Sequence, residues 1–240
     1  MLTLLTYRPG YGDPSLSPFC VKAMILLEMS GQPWQPEWCA RGGKDSYGKL
    51  PALRTPGGLV PDSNFILQWL EEQGADLFPG LNNAQRGQAH AIIRLAEDSL
   101  RLGLIHDRWL RDDCWPVMLK TAFGGMPAPL RLIIPGRVRD NVRKLLTIQG
   151  MARYSEEDRL RCLRADLDAL AAQLGDSAWL FGDQPTAADA AVFPVLSMLD
   201  RLPADTPLRR LVREQSALMA YTQRGRDRFY PALTFAAAAA

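Results

Sequence analysis

Nearly every strand signal in this chain falls before Asp62, and that confinement limits the fold more than any other feature. Leu2–Tyr7 is an apolar run suited to a buried first strand. Arg8–Leu16 carries two glycines and two Pro-adjacent turns and reads as a loop. Ser17-Pro-Phe-Cys20 then opens a helix. The Ser17 oxygen is expected to cap it by accepting a free N–H of the first turn, Pro18 suits the first helical position, and Gly31 suits the end. Phe19, Ala23, Leu26 and Leu27 recur at helical spacing, and Met24 and Ile25 widen the apolar face, which predicts a largely buried helix. Pro33–Cys39 reads as an edge strand with Trp34 and Trp38 on one face. A polar loop spans Ala40–Lys49. A hairpin follows, with strands Ala52–Arg54 and Leu59–Val60 around a Thr55–Gly58 turn. Asp62 or Ser63 caps the next helix, whose stripe is Phe65, Ile66, Trp69 and Leu70 and which Gly74 ends.

The order is βαβ–ββα, a small α/β unit over residues 1–74. A Pro79-Gly80 linker covers 75–83. Beyond it the periodicity is helical. Ala84–Asp113 reads as one long helical stretch, and Cys114–Gly150 as helix in parts, broken by Gly124-Gly125, Pro127, Pro129 and Pro135-Gly136. Ser155, with Asp158 three residues on, resembles a capping box and opens a helix to Gly175; Thr186-Ala-Ala-Asp189 opens an apolar helix through Leu199; a last helix is expected over Pro207–Gln223. The expectation is α/β plus all-α: a small mixed unit, then a helical domain over 84–235. The alanines 236–240 are set aside as a tail.

At 240 residues, 47% apolar and 22% charged, the chain has enough apolar material for a real core. Its net charge of +2 makes no case for nucleic acid or an anionic membrane, and the basic patch Arg137–Lys144, interrupted by Asp140, reads as a solvated helix face. Cys20, Cys39, Cys114 and Cys162 show no CxxC and no metal spacing with His90 or His106. No metal is expected. A reducing compartment follows from the cysteine usage. No signal peptide and no membrane-spanning run is visible.

Three motifs in the first unit share an order: Ser17-Pro-Phe-Cys20 at a helix start, Gly48-Lys-Leu-Pro51 before a strand, and Asp62-Ser63 at the next helix start. With Thr186-Ala-Ala-Asp189 in the helical domain, they resemble the glutathione S-transferase superfamily, with a thioredoxin-like N-terminal domain and a helical C-terminal domain. The Pro/Gly loop before Ser-Pro-Phe-Cys, the Gly-Lys-Leu-Pro and Arg108-Trp109 look like the metaxin and failed-axon-connections branch, including its soluble bacterial members.

The resemblance implies glutathione as co-substrate. Ser17 falls where the family keeps the residue that hydrogen-bonds the glutathione sulfur, and a hydroxyl at a helix N-terminus favours the thiolate. Leu50-Pro51 matches the family's cis-proline turn, whose backbone pairs with the cysteinyl part. Asp62-Ser63 matches the acid-Ser pair that takes the γ-glutamyl end, and Lys49 is placed to meet the glycyl carboxylate. Cys20 is an alternative catalytic residue of a thiol-disulfide reductase, and Tyr7 an alternative thiolate partner; ordinary helix capping is the plain alternative for Ser17 and Ser63. Thr186-Ala-Ala-Asp189 reads as a buried structural capping box. Tyr11, His106 and Trp109 are candidates for an acceptor pocket between the domains, with no partner visible for His106. The implied protein is a cytoplasmic, detoxifying homodimer without nucleic-acid or membrane partners. A non-catalytic interaction module remains the alternative to an enzyme.

Overall fold

The computed structural model describes residues 1–235; the tail 236–240 lies outside the described residues. β1 (Leu2–Thr6) lies between β2 (Trp34–Trp38), which runs parallel to it, and β3 (Ala52–Thr55), which runs antiparallel, and β4 (Gly58–Pro61) completes the order β2-β1-β3-β4. β2 is the edge strand, and Pro36 within it costs no ladder bond on its outer side. α1 (Pro18–Ser30) crosses over between β1 and β2 and α2 (Ser63–Glu72) follows β4. Cys20 to Leu27 are all buried, so α1 is apolar nearly all round. Such a helix must be covered on both sides. The sheet covers one, and α8 of the helical part (Ala187–Asp200), itself buried at every residue, covers the other.

The second part is helical throughout: α3 (Asn83–Leu95), a π-helical turn over Ala96–Leu100, α4 (Arg101–Leu110), α5 (Trp115–Phe123), α6 (Ala128–Gln149), α7 (Glu156–Leu174), α8, α9 (Pro207–Glu214) and α10 (Ser216–Phe229). Three sequence expectations are corrected. The stretch 84–113 is interrupted by the π turn, which carries Glu97. α6 runs through Pro135-Gly136 rather than breaking there; Pro135 is buried in the packed side of that helix. The last helix is two, because Gln215 sits at φ −84 ψ 79, outside the helical region, between α9 and α10.

The Thr186 box forms as expected. Thr186 Oγ1 accepts from Ala188 N–H, and Asp189 accepts from the Thr186 and Leu180 N–H groups and from Tyr221 O–H. Burial still pushes the Asp189 carboxyl up despite those donors. Trp179 packs against Tyr221 and Phe229 in the same core.

Candidate active site

Register brings the three N-terminal motifs together. Leu5 pairs with Ala52, and Ala52 pairs with Pro61. The C-terminal end of β1, the start of β3 and the end of β4 therefore share one end of the sheet. From that end depart the loop to Ser17, the Leu50-Pro51 segment, and Asp62-Ser63. The Leu50–Pro51 peptide is cis, and Asp62 N–H donates to the Pro51 carbonyl at 3.1 Å.

Each motif residue then has a local account. Asp62 stands at φ 67, a left-handed backbone uncommon outside glycine. Its carboxylate caps α2 by accepting from Asn64 N–H at 2.8 Å. Ser63 follows as the first residue of α2. It is 1% exposed, and its Oγ has no hydrogen-bond partner. A buried hydroxyl without a partner beside the free N–H groups of a helix start is an open place for an anionic oxygen. Ser17 is the residue before α1, but its side chain makes no capping hydrogen bond, which corrects the expected cap. The Ser17 hydroxyl lies instead beside Cys20. Lys49 is exposed at the mouth of this end.

Cys20 is wholly buried, and burial pushes its thiol up; Thr6, the Tyr7 backbone, Ser17 and Ser15 oppose that only in part. Such a sulfur is an inert, protonated thiol. Tyr7 is half-buried and its phenol is raised, first by burial and then by Cys20. Neither residue has the environment of an activated nucleophile.

The loop between Tyr7 and Ser17 is tied down on both sides. Ser15 Oγ donates to the Tyr7 carbonyl at 2.9 Å, and Arg108 of α4 donates to the Leu16 carbonyl at 2.8 Å. Asp13, 2% exposed, accepts from Ser197 Oγ of α8 at 2.7 Å and from Tyr230 O–H at 2.5 Å, while Arg201 binds the Gly12 carbonyl. The sequence marks Asp13 only as part of the Arg8–Leu16 loop; Ser197 and Tyr230, which receive it, are about two hundred residues away, so no local signal marked it.

Of the expected acceptor residues, Tyr11 and Trp109 both reach α5. Tyr11 (φ 56) reaches α5, with its O–H 3.3 Å from Met118 Sδ, and the Arg108 guanidinium lies 5.2 Å from its ring centroid. Burial raises its phenol, against Thr121 and Arg108. His106 is two residues from Arg108, roughly 200° around the helix. It has a partner after all, since Nδ1 lies 2.9 Å from Asp107 Oδ1. Trp109 packs on Trp115 and Phe123 at ring distances of 6.2 Å, so it joins α4 to α5.

One cluster escaped the sequence reading. Lys22 of α1 donates to Asn64 Oδ1 at 2.7 Å and to Glu97 Oε1 at 2.6 Å, Asn64 Nδ2 donates to Glu97 Oε2 at 3.2 Å, and Arg94 pairs with the same oxygen at 3.2 Å. Burial lowers the Lys22 ammonium against the pull of Glu97. The available signal was a lone lysine in an otherwise apolar helix.

A four-stranded mixed sheet flanked by helices and followed by a helical domain, with a cis-proline and an Asp-Ser helix start at one end of the sheet, defines the thioredoxin-like, two-part architecture of glutathione transferases. The comparisons agree. Residues 18–114 match the family description "Glutathione S-transferase N-terminal domain" and residues 163–225 match "Glutathione S-transferase, C-terminal domain". The chain is 31% identical to the isoprene-epoxide–glutathione S-transferase of Rhodococcus sp. (strain AD45) over 240 residues, covering 95% of this chain and 99% of that protein. It is 27% identical to metaxin-1 of Homo sapiens over 82% of this chain and 44% of metaxin-1. Among solved structures, glutathione transferase GSTFuA3 from Phanerochaete chrysosporium superposes at TM-score 0.64 with 19% identity, over 99% of this chain and 98% of that one. This chain belongs to the glutathione S-transferase family, with relatives in the metaxin and failed-axon-connections branch.

Among the described residues no group of His, Cys, Asp or Glu is arranged to hold a metal, and no helix is long and apolar enough to cross a membrane.

Proposed function

We propose that this chain is a glutathione-dependent transferase that adds the glutathione thiolate to a small electrophile, or removes such a group. The observation that carries the reading is Ser63: a buried hydroxyl with no internal partner, at a helix N-terminus, on the same end of the sheet as Ser17. In this reading Ser63 and the α2 N–H groups take the γ-glutamyl carboxylate, Asp62 takes the ammonium, and the Leu50 backbone beside Pro51 takes the cysteinyl part. Lys49 meets the glycyl carboxylate. The Ser17 hydroxyl, uncommitted to the cap, donates to the sulfur. A free thiol has a pKa of about 8.5 and is mostly protonated at neutral pH, so a donor plus a helix dipole raises the thiolate fraction. The Rhodococcus relative is named for an epoxide, which makes a small epoxide the first acceptor to try. There the S–C bond forms as the C–O bond opens, and the alkoxide takes a proton from water.

The metaxin relatives favour a second reading, a non-catalytic interaction protein on the same fold. The burial of Cys20 counts against the reductase reading. Cytoplasmic location, a detoxifying role and homodimerisation belong to the same proposal. For the dimer, a cleft of about 410 Å³ between α2 and α3, lined by Leu67, Phe78 and His90, and the exposed Phe65 on α2 supply the surface; light scattering on the purified chain tests it.

The deciding experiment titrates glutathione against the protein and follows thiolate absorbance, in the parent chain and in Ser17→Ala. Binding with a lowered thiol pKa that Ser17→Ala restores supports the transferase. Binding with an unshifted thiol leaves the interaction module, and absence of binding removes the glutathione-dependent readings.

A further inference from the structure

Residues 115–162 fall outside both family matches, and they differ in character from the rest of the chain. Of the ten exposed large apolar or aromatic side chains among the described residues, six sit on α5 and α6: Val117, Leu130, Leu132, Ile133, Leu145 and Ile148. Leu132 is 86% exposed and Ile148 82%. Charge concentrates in the same place. Trp115–Gln149 carries six Lys/Arg against one Asp, a net of +5, so the rest of a chain with net charge +2 sums to −3. The modest total charge conceals that asymmetry. No acidic residue occurs from Cys114 to Arg139.

Four of these six cations are also without an ion-pair partner among the described residues. Arg139 is committed to the Trp109 and Leu110 carbonyls and to Asp112, and Arg143 to Asp140. Lys120, Arg131, Arg137 and Lys144 are exposed and have no ion-pair partner among the described residues. The patch that read as a solvated face is half of a larger surface.

From this α5–α6 surface we infer a peripheral docking site for a membrane bearing anionic lipid. The commitment to lipid rests on shape and charge together. At about 100° per residue, Leu130, Ile133 and Leu132 spread over roughly 160° of the helix at the α5–α6 turn. A rigid protein groove covers one face of a helix, whereas fluid acyl chains cover apolar side chains that point in several directions. Unpaired Lys120, Arg131 and Arg137 near this turn suit anionic headgroups, with their stems lying along the apolar boundary. The inference stands apart from the Ser17 site and does not depend on glutathione.

The test is flotation of the full chain with vesicles of neutral phosphatidylcholine, and with vesicles in which about a third of the lipid is phosphatidylglycerol. Expected is binding to the anionic vesicles about tenfold or more above the neutral ones, falling as salt rises to about 0.5 M. The double variant Leu132→Glu/Ile133→Glu should lose about tenfold or more of that binding. Circular dichroism and melting should stay unchanged, since both side chains are already in solvent. Arg131→Glu/Arg137→Glu should do the same by charge alone. No binding to anionic vesicles at low salt overturns the inference, as does binding that both variants retain. A concentration-dependent dimer in light scattering that Leu132→Glu/Ile133→Glu dissolves would overturn it in favour of a second copy of this chain.

Discussion

Lys22 Nζ lies 2.6 Å from Glu97 Oε1, with the two side chains 1% and 3% exposed, and the pair joins the first helix of the α/β unit to the π turn of the helical domain. Asn64, next to Ser63, bridges the same two residues. The domain boundary, the buried charge and the proposed glutathione contact thus meet in one network. A buried pair contributes little net stability, but breaking it strands a charge. Lys22→Met should therefore cost about 3 kcal/mol in urea unfolding, and Lys22→Met/Glu97→Leu should recover most of that loss. An unchanged midpoint in the single variant would show that Arg94 and Asn64 suffice for Glu97.

Ser63→Ala removes one donor from a site where the protein offers the hydroxyl no other partner. A hydrogen bond to a charged group is worth about 1.5–3 kcal/mol. Glutathione affinity should fall about tenfold or more by calorimetry, while the melting temperature holds, because no internal bond is lost. A large loss of stability with unchanged affinity would assign Ser63 to the fold instead.

Asp13 gives a pH signature. Burial raises its carboxyl above the ordinary 3.8, against the pull of Tyr230 and Ser197. A raised folded value means that the native state holds the proton more tightly than the unfolded chain. Its contribution therefore falls as pH rises from about 4 through the raised value, and is level above it. Compared across pH 4 to 7, the parent chain should lose stability relative to Asp13→Asn as pH increases. The difference in urea midpoints between the two proteins reads this directly, and a difference that grows in favour of the parent would refute it.

Within the Thr186 box the two residues should differ in cost. Thr186→Ala loses a cap, about 1 kcal/mol. Asp189→Ala leaves the Leu180 and Thr186 N–H groups and the Tyr221 hydroxyl without their acceptor inside the core. At about 1–3 kcal/mol for each stranded group, it should be by far the more damaging. Thermal unfolding of the two variants separates them.

The cysteines should fall into two kinetic classes toward a thiol reagent. Cys39 is half-buried and Cys162 exposed, while Cys20 and Cys114 are buried; burial pushes the Cys114 thiol up to about 11. Two thiols should react promptly in the native chain and the others only on unfolding. Treatment with oxidised glutathione should leave Cys20 unmodified by mass spectrometry. A mixed disulfide on Cys20 in the native protein would revive the reductase reading.

Much of the local backbone of the candidate site was legible because its residues act where the chain changes direction. Pro18 and Gly31 mark the ends of α1 by their own backbone preferences, and Asp62 caps α2 as its side-chain length allows. Other features were not legible, for stated physical reasons. The Ser17 cap was expected from a local rule, but the hydroxyl lies beside Cys20 instead. Tyr11 and Trp109 meet on α5, through Met118 and through Trp115 and Phe123, which no local pattern in the sequence marks.

The sequence by itself determined the order of elements and the helix starts of the α/β unit and the three motifs, since hydrophobic period, proline, glycine and capping residues act over a few residues of chain. Only the tertiary structure decided which groups are closed to water and which remain open. Cys20 became inert under its burial, Asp13 became an anchor because α8 and Tyr230 meet it, and Ser63 was left without a partner. Burial and long-range partners depend on segments distant in the chain, and no local pattern encodes which of them will meet.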